Sequence, residues 1–146
     1  TKDYKFLPTR IDQGSFASIY IAKNINDDHT YAAKIFKIHD CFDGQSQKLV
    51  LRESMIHNKL NHPAIIKFKG INFVSYEDPT KFQPTILMKY CKNGTLRNLM
   101  YKEKRSVADP EWTPTKKYIC LLGIAHAMKY LHKNGVIPKD ILIISY

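Results

Sequence analysis

Apolar and polar positions change their pattern near the middle of the chain, and this change predicts a sheet followed by helices. In the first half the two kinds of residue alternate, which is typical of strands with one buried face. The pattern predicts strands over 6–10, 19–22, 31–38, 65–68, 71–74 and 85–90. The turn-forming residues 24–28, which separate the second strand from the third, predict an antiparallel hairpin.

The one helix predicted in this half spans 45–60 and carries an acidic residue among its apolar positions. Leu49, Ile56 and Leu60 follow the spacing i, i+7 and i+11, which predicts a single apolar stripe. Glu53 lies at i+4 on the same stripe. The pattern therefore predicts that a carboxylate lies on the face that covers the sheet.

Beyond Gly94 the pattern is helical. Residues 96–100 predict a short helix, and a long helix begins at Thr113-Pro114, an N-cap followed by proline at the first helical position. Asn134-Gly135 ends it with a left-handed cap. Its predicted buried stripe consists of Leu121, Ile124, Ala125, Met128 and Leu131. We predict two parts, residues 1–94 with the sheet and residues 95–146 with helices.

Composition limits the class of protein. With 146 residues, 44% of them hydrophobic, the chain is a globular domain or part of one. No apolar run reaches the about 20 residues that cross a membrane. The N-terminus lacks both Met and an apolar leader, so we expect a trimmed chain without a secretory signal. The three cysteines are widely spaced, which favours a reducing, cytoplasmic location over disulfides or zinc.

The chain is basic, with 23 Lys and Arg against 13 Asp and Glu and a net charge of +10. Such a charge is found in proteins that bind nucleic acids. The cations do not cluster here, so a solvated basic surface is the preferred interpretation. A nucleic-acid-binding module remains an alternative hypothesis.

Lys34 and Glu53 are the first candidate pair for chemistry. Strand alternation puts Ala32, Lys34 and Phe36 on one face, so the lysine has apolar neighbours. Taken alone, Lys34 fits an edge lysine whose stem is buried and whose ammonium reaches water. A buried charge without its partner costs about 3–5 kcal/mol, so we predict that the two charges pair. A purely structural ion pair is the alternative.

Small residues between the first two strands form the second candidate. Gly14, Ser15, Ala17 and Ser18 would let the backbone run close to a ligand, with amides facing phosphate oxygens. An ordinary turn explains the same residues equally well.

In order and spacing, these segments resemble the eukaryotic protein kinases over nearly the whole chain. The similar segments are the Gly-rich loop at 11–20, the strand Ala32-Ala33-Lys34, the helix-C glutamate Glu53, the turn at 62–66, the hinge at 86–96 and the long helix at 123–132. The resemblance implies an α+β fold, with an N-lobe of five antiparallel strands and helix C, followed by the first helices of an incomplete C-lobe.

The resemblance also implies an ATP site. Its residues would be Ile11, Gly14, Ile19, Ala32, Lys34, Met88, Lys89 and Cys91. Lys34 would hold the α- and β-phosphates and Glu53 would orient Lys34. Ile19 and Ala32 would cover the adenine, Met88 would be the gatekeeper, and the backbones of Lys89 and Cys91 would bond to the adenine edge. Asp140 would accept the proton of the substrate hydroxyl. The implied partners are ATP and an unidentified protein, without a membrane.

Several positions depart from the family pattern. Asp12 and Ala17 replace the first and third glycines of the loop, and Pro138 and Lys139 replace a His-Arg pair. Counting without gaps, Ser145 takes the place of the Mg²⁺-binding Asn, although residues 141–143 could instead be the following strand after a deletion. Mg²⁺ is expected for the family, but its ligands are missing from this sequence.

The end of the sequence completes these expectations. It reaches Tyr146 without an Asp-Phe-Gly triplet, so we expect a chain truncated after the catalytic-loop aspartate and inactive by itself. The parent reaction would be transfer of the ATP γ-phosphate to Ser or Thr, with Tyr as a weaker alternative. The segments 93–96 and 123–125 favour the tyrosine-kinase-like type of Ser/Thr kinase. A pseudokinase that binds a nucleotide or a partner without catalysis is the second hypothesis.

Overall fold

The computed structural model describes residues 3–37, 44–107 and 110–137. This part of the chain contains five strands and three helices. In chain order they are β1 (Tyr4–Gln13), β2 (Ala17–Asn24), β3 (Thr30–Phe36), α1 (Gly44–Lys59), β4 (Phe68–Val74), β5 (Phe82–Lys89), α2 (Leu96–Lys104) and α3 (Pro114–Lys133).

The strands form one antiparallel sheet in the order β1-β2-β3-β5-β4. The predicted class, a five-stranded antiparallel sheet with helices, is confirmed. The predicted hairpin is β2–β3, and its turn uses local side-chain bonds: the Asn26 N–H donates to the Asn24 side chain over 2.8 Å. Asp28 adopts a φ of 55°, a left-handed conformation that Asp tolerates better than most residues.

Of the two strands predicted at 65–68 and 71–74, the second is confirmed as part of β4 and the first is wrong. A single strand, β4, begins at Phe68, whereas Ile65 is buried against Ala127 and Leu131 of α3. A short apolar run does not reveal whether its residues join a sheet or pack onto a helix. The last strand, β5, begins earlier than predicted, at Phe82. Pro84 can lie within it because this residue falls at an irregularity of the β4–β5 ladder, where a residue without an N–H is tolerated.

Helix α1 turns a different face to the sheet than its apolar spacing predicts. Val50 and Ser54 are buried, and the His57 ring lies 5.5 Å from that of Phe68 in β4. Leu49 of the predicted stripe is 65% exposed. Ser54 can be buried because its hydroxyl donates to the Leu51 carbonyl over 2.7 Å and so keeps a hydrogen-bond partner.

The chain divides into two compact units. One consists of Thr1–Lys59 with Lys67–Tyr90, and the other of Leu60–Ile66 with the chain from Cys91 onward. The predicted division after Gly94 differs in two respects: 60–66 groups with the second unit, and the boundary lies between Tyr90 and Cys91. This grouping follows from the burial of Ile65 and from the Tyr130 hydroxyl, which accepts the Asn61 N–H over 3.1 Å.

Helix α3 has the ends that the sequence predicts but a shifted buried face. The Thr113 side chain caps the first turn and Gly135 has a φ of +69°. The buried residues are Cys120, Ala127 and Leu131, whereas Leu121 of the predicted stripe is 63% exposed. Burial raises the pKa of the Cys120 thiol.

None of the helices in the described ranges has the length and apolar character needed to cross a membrane.

In the second unit, Glu103 connects α2 to the start of α3. Its carboxylate accepts hydrogen bonds from Lys117 and from the indole N–H of Trp112, the latter over 3.1 Å. The bond from Lys117, more than the bond from Trp112, holds the pKa of this carboxyl below its ordinary value. A lowered pKa in the folded state means that the folded chain binds this proton more weakly than the unfolded chain.

We therefore expect the stabilisation from Glu103 to be present above its unfolded pKa and to be lost as the pH falls through its folded pKa. Urea unfolding followed by Trp112 fluorescence should give a higher midpoint for the wild type than for Glu103→Gln at pH 7. The two midpoints should converge at low pH, because a protonated Glu resembles Gln. An equal difference at both pH values would contradict this assignment.

Candidate functional site

The ion pair between Lys34 of β3 and Glu53 of α1 forms the centre of the candidate site. The Lys34 Nζ lies 2.6 Å from Glu53 Oε1, so the pairing predicted from the sequence is present. The Lys34 side chain is 17% exposed and the Glu53 side chain 43%. The ammonium also lies 5.0 Å from the centre of the Phe36 ring. Helix α1 and strand β3 therefore hold the ammonium in one defined place.

This degree of exposure helps to decide between a structural and a functional pair. Pairs that water can reach contribute about 0.2–1 kcal/mol to stability. Such a small gain does not explain why a lysine is set between Ala32 and Phe36, which are 7% and 6% exposed. The contact with Glu53 fixes the position of the ammonium, and the role of that ammonium toward a ligand stays a prediction.

Apolar residues predicted to cover an adenine lie beside Lys34. Ile19 of β2 pairs with Lys34, and Ala32 pairs with Met88 of β5. Directly paired residues in antiparallel strands share a face, as do residues two apart along a strand. Ile19, Ala32, Lys34 and Met88 are therefore on one face of the sheet. Their roles toward a ligand stay predictions.

Strand pairing does not place the other predicted residues on this face. Ile11 lies at an irregularity of the β1–β2 ladder and is 39% exposed. The Lys89 N–H donates to the Lys67 carbonyl over 2.9 Å, so this N–H is not available to an adenine. Cys91 belongs to the second unit, where its carbonyl accepts the Gly94 N–H over 3.2 Å. Asp140 and Ser145, like Pro138 and Lys139, lie outside the described residues.

The loop between β1 and β2 differs from expectation. The Gln13 N–H donates to the Asp12 carboxylate over 2.8 Å, and the Gly14 N–H donates to the Ala17 carbonyl over 2.9 Å. The expectation that the loop amides face a ligand therefore does not hold for the Gln13 and Gly14 amides, which are bonded within the chain. The cause is local: an Asp side chain can accept from a neighbouring amide, and the turn closes on itself.

Lys37, just after β3, is a contact that the sequence interpretation missed. Its ammonium donates to the Gly14 carbonyl over 2.7 Å, and its backbone N–H donates to the Phe16 carbonyl over 2.9 Å. The only indication in the sequence was a second lysine three residues after Lys34. Position 37 thus ties the loop to the end of β3.

No cluster of three or more His, Cys, Asp or Glu side chains suited to a metal ion occurs within 3–37, 44–107 and 110–137. The expectation about Mg²⁺ concerned Ser145, which is outside these ranges.

Comparisons with known proteins extend this picture. The chain is 32% identical over 140 residues to the cytokinesis protein sepH of Emericella nidulans. The matched region is 96% of this chain and 9% of that protein. It is 30% identical over 132 residues to the serine/threonine-protein kinase SSK22 of Saccharomyces cerevisiae, covering 90% and 9%. It is 27% identical over 140 residues to human 3-phosphoinositide-dependent protein kinase 1, and the match covers 96% of this chain and 23% of that protein. The chain thus spans only a small part of each relative.

A solved structure has the same fold. The structure of Rad53 residues 1–466 in complex with AMP-PNP superposes with a TM-score of 0.70 at 26% identity, over 96% of this chain and 33% of that one. The sequence family described as protein kinase domain matches residues 7–142. The chain therefore belongs to the protein kinase family.

Proposed function

We propose that the chain binds ATP on the sheet face that carries Lys34. The observation that carries this proposal is the 2.6 Å contact between the Lys34 ammonium and Glu53. It holds a cation beside Ile19, Ala32 and Met88, which offer apolar surface to an adenine. The Rad53 structure, similar in fold, was solved with the ATP analogue AMP-PNP, which supports the same ligand class here.

We infer the following roles. Lys34 binds the α- and β-phosphates and Glu53 orients its ammonium. The Lys89 carbonyl and the Cys91 backbone bind the adenine edge, since the Lys89 N–H is bonded to Lys67. Ile11 and Gly14 also contact the nucleotide. Asp140 accepts the proton of the substrate hydroxyl. Mg²⁺, where bound, would neutralise charge on the phosphates.

The parent reaction is proposed to be transfer of the γ-phosphate to Ser or Thr of a protein. SSK22, one of the similar proteins, carries that activity in its name. The segments 93–96 and 123–125 support a tyrosine-kinase-like subtype. Pro138, Lys139 and Ser145 stand where the family has His, Arg and Asn, so we propose that the 146-residue chain does not transfer phosphate. We also propose an N-lobe with hinge over 1–94, a partial C-lobe over 95–146, and a cytoplasmic location.

A second candidate is a pseudokinase that binds a nucleotide without catalysis. The loop favours it, because the Gln13 amide is bonded to the Asp12 carboxylate and the Gly14 amide to Ala17. An acidic side chain in this loop adds negative charge where phosphates are proposed to bind. Such a loop favours weak phosphate binding and little dependence on Mg²⁺.

The test is calorimetric titration of the chain with ATP, with and without MgCl₂. We expect one saturable site, and no transfer of labelled γ-phosphate to a mixture of Ser- and Thr-containing peptides. Binding that strengthens with Mg²⁺ supports the kinase-type site, whereas equal binding supports the pseudokinase. No binding of ATP, together with salt-sensitive binding of a labelled RNA, would favour the nucleic-acid alternative instead.

A further inference from the structure

The β1–β2 loop, defined here as Gly14–Phe16, is held by Lys37 at two points. The Lys37 ammonium donates to the Gly14 carbonyl over 2.7 Å, and the Lys37 N–H donates to the Phe16 carbonyl over 2.9 Å. These two contacts join carbonyls of the loop to a single residue at the end of β3. Together with the bond from the Gly14 N–H to the Ala17 carbonyl, these contacts fix the conformation of the loop.

The side of the sheet from which Lys37 acts follows from the alternation along β3. Ala32, Lys34 and Phe36 share one face, so Ile35 and position 37 are on the opposite face. Lys37 lines a cavity of about 220 Å³ together with Ser18, Tyr20 and Ile35 of that face, and with Phe36 at the end of β3. The ammonium thus approaches the loop from the side away from Lys34.

The bond to the Gly14 carbonyl also orients the next amide. No cis peptide bond occurs among the described residues, so the carbonyl of Gly14 and the N–H of Ser15 point in opposite directions. Because the Gly14 carbonyl accepts from the Lys37 ammonium, the Ser15 N–H points away from that ammonium. An N–H in that direction can donate to a phosphate oxygen, whereas a carbonyl there would repel it.

Charge adds to this effect. Between positions 12 and 17 the only ionisable side chain is that of Asp12, which disfavours phosphate. The Lys37 ammonium brings a positive charge to the same loop. Lys37 therefore helps to order the loop, orients the Ser15 amide and offsets the negative charge of Asp12.

We propose that Lys37 is a positioning residue for nucleotide phosphates, acting through the Gly14–Ser15 peptide. This inference rests on the proposed ATP binding and extends it: the affinity gained from Lys37 applies to ATP and ADP but not to adenosine. Preorganisation of a loop raises affinity because less conformational entropy is lost on binding.

The experiment compares the dissociation constants of ATP, ADP and adenosine for the full chain by calorimetry. Lys37→Met should weaken ATP and ADP binding by up to about tenfold, because the loop must then be ordered on binding without this bond from a charged donor. Adenosine binding should change by less than about twofold, and Lys37→Arg should restore most of the ATP affinity, since a guanidinium can donate to the same carbonyl.

Lys81→Met is the matched control. Lys81 is a surface lysine whose ammonium lies 3.2 Å from Asp78, so its loss removes the same charge and one surface contact from the same unit. The affinity of the Lys81→Met variant for ATP should stay at the wild-type value. Amide hydrogen exchange without nucleotide provides a second measurement: the Gly14–Phe16 segment should exchange faster in Lys37→Met than in Lys81→Met.

Each outcome has a definite meaning. Wild-type binding of ATP with unchanged affinity in Lys37→Met overturns the positioning role alone. Equal weakening of ATP and adenosine, or equal effects of Lys37→Met and Lys81→Met, also overturns it. A wild-type chain that binds none of the three ligands overturns the proposed function, and the positioning role with it.

Discussion

Replacing Lys34 by Met is expected to weaken ATP binding by at least about tenfold while the chain stays folded. A hydrogen bond between charged groups contributes about 1.5–3 kcal/mol, and each 1.4 kcal/mol is tenfold in affinity. Lys34 presents its ammonium at one place because Glu53 holds it at 2.6 Å. Met has a similar length and fills the space between Ala32 and Phe36 without a charge. Calorimetric titration with ATP measures the effect.

Two further variants make this result specific. Lys23→Met removes another lysine of the same sheet, whose ammonium lies 3.3 Å from Asp28, and should leave ATP affinity unchanged. Glu53→Gln keeps Lys34 but removes the charge that orients it, so a smaller loss is expected. Because the pair is partly exposed to water, the urea midpoint of Lys34→Met should stay close to that of the wild type. Wild-type ATP affinity in Lys34→Met would contradict the proposed site.

Replacing Leu131 by Ala should destabilise the second unit by about 2–5 kcal/mol, the usual cost of emptying a buried leucine site. Leu131 is 3% exposed and packs with Ile65 and Ala127. The chain has one tryptophan, Trp112, which is buried in the same unit. Urea unfolding followed by its fluorescence therefore reports on this unit.

Leu121→Ala is the matched control for Leu131→Ala, since it is the same substitution in the same helix. Leu121 is 63% exposed, so the expected change is within about 0.5 kcal/mol. Similar losses in the two variants would mean that the assignment of the buried face of α3 is wrong.

These two leucines illustrate a limit of sequence interpretation. The apolar spacing selected a stripe containing both, but only one lies on the buried face. Helix α3 has apolar residues on more than one face, so several stripes fit the helical period equally well. In α1 the pattern favoured Leu49, whereas the face packed on the sheet carries Val50 and Ser54. Moving the buried stripe by one residue along the helix rotates the buried face by about 100°. Only the shape of the packing partner selects which face is buried.

Local features were predicted more accurately. Thr113 caps α3 and Gly135 ends it with a positive φ, as the residue types indicate. The β2–β3 hairpin follows from the turn at 24–28. Caps and turns depend on a few neighbouring residues, so the sequence carries most of the information that they need. Ile65 was misassigned because its packing partners, Ala127 and Leu131 of α3, lie about sixty residues later in the chain.

By itself, the sequence determined which face of β3 carries Lys34, because strand alternation is local. It also favoured Glu53 as the partner of Lys34, because an acidic side chain lies on the one helix predicted to cover the sheet. Only the tertiary structure decided how the β1–β2 loop is held. Lys37 and Gly14 are 23 residues apart, and their hydrogen bond exists because β2 pairs with β3 in one particular register. A contact of that kind depends on where two separate segments of the backbone come to lie, and no local pattern of residues encodes it.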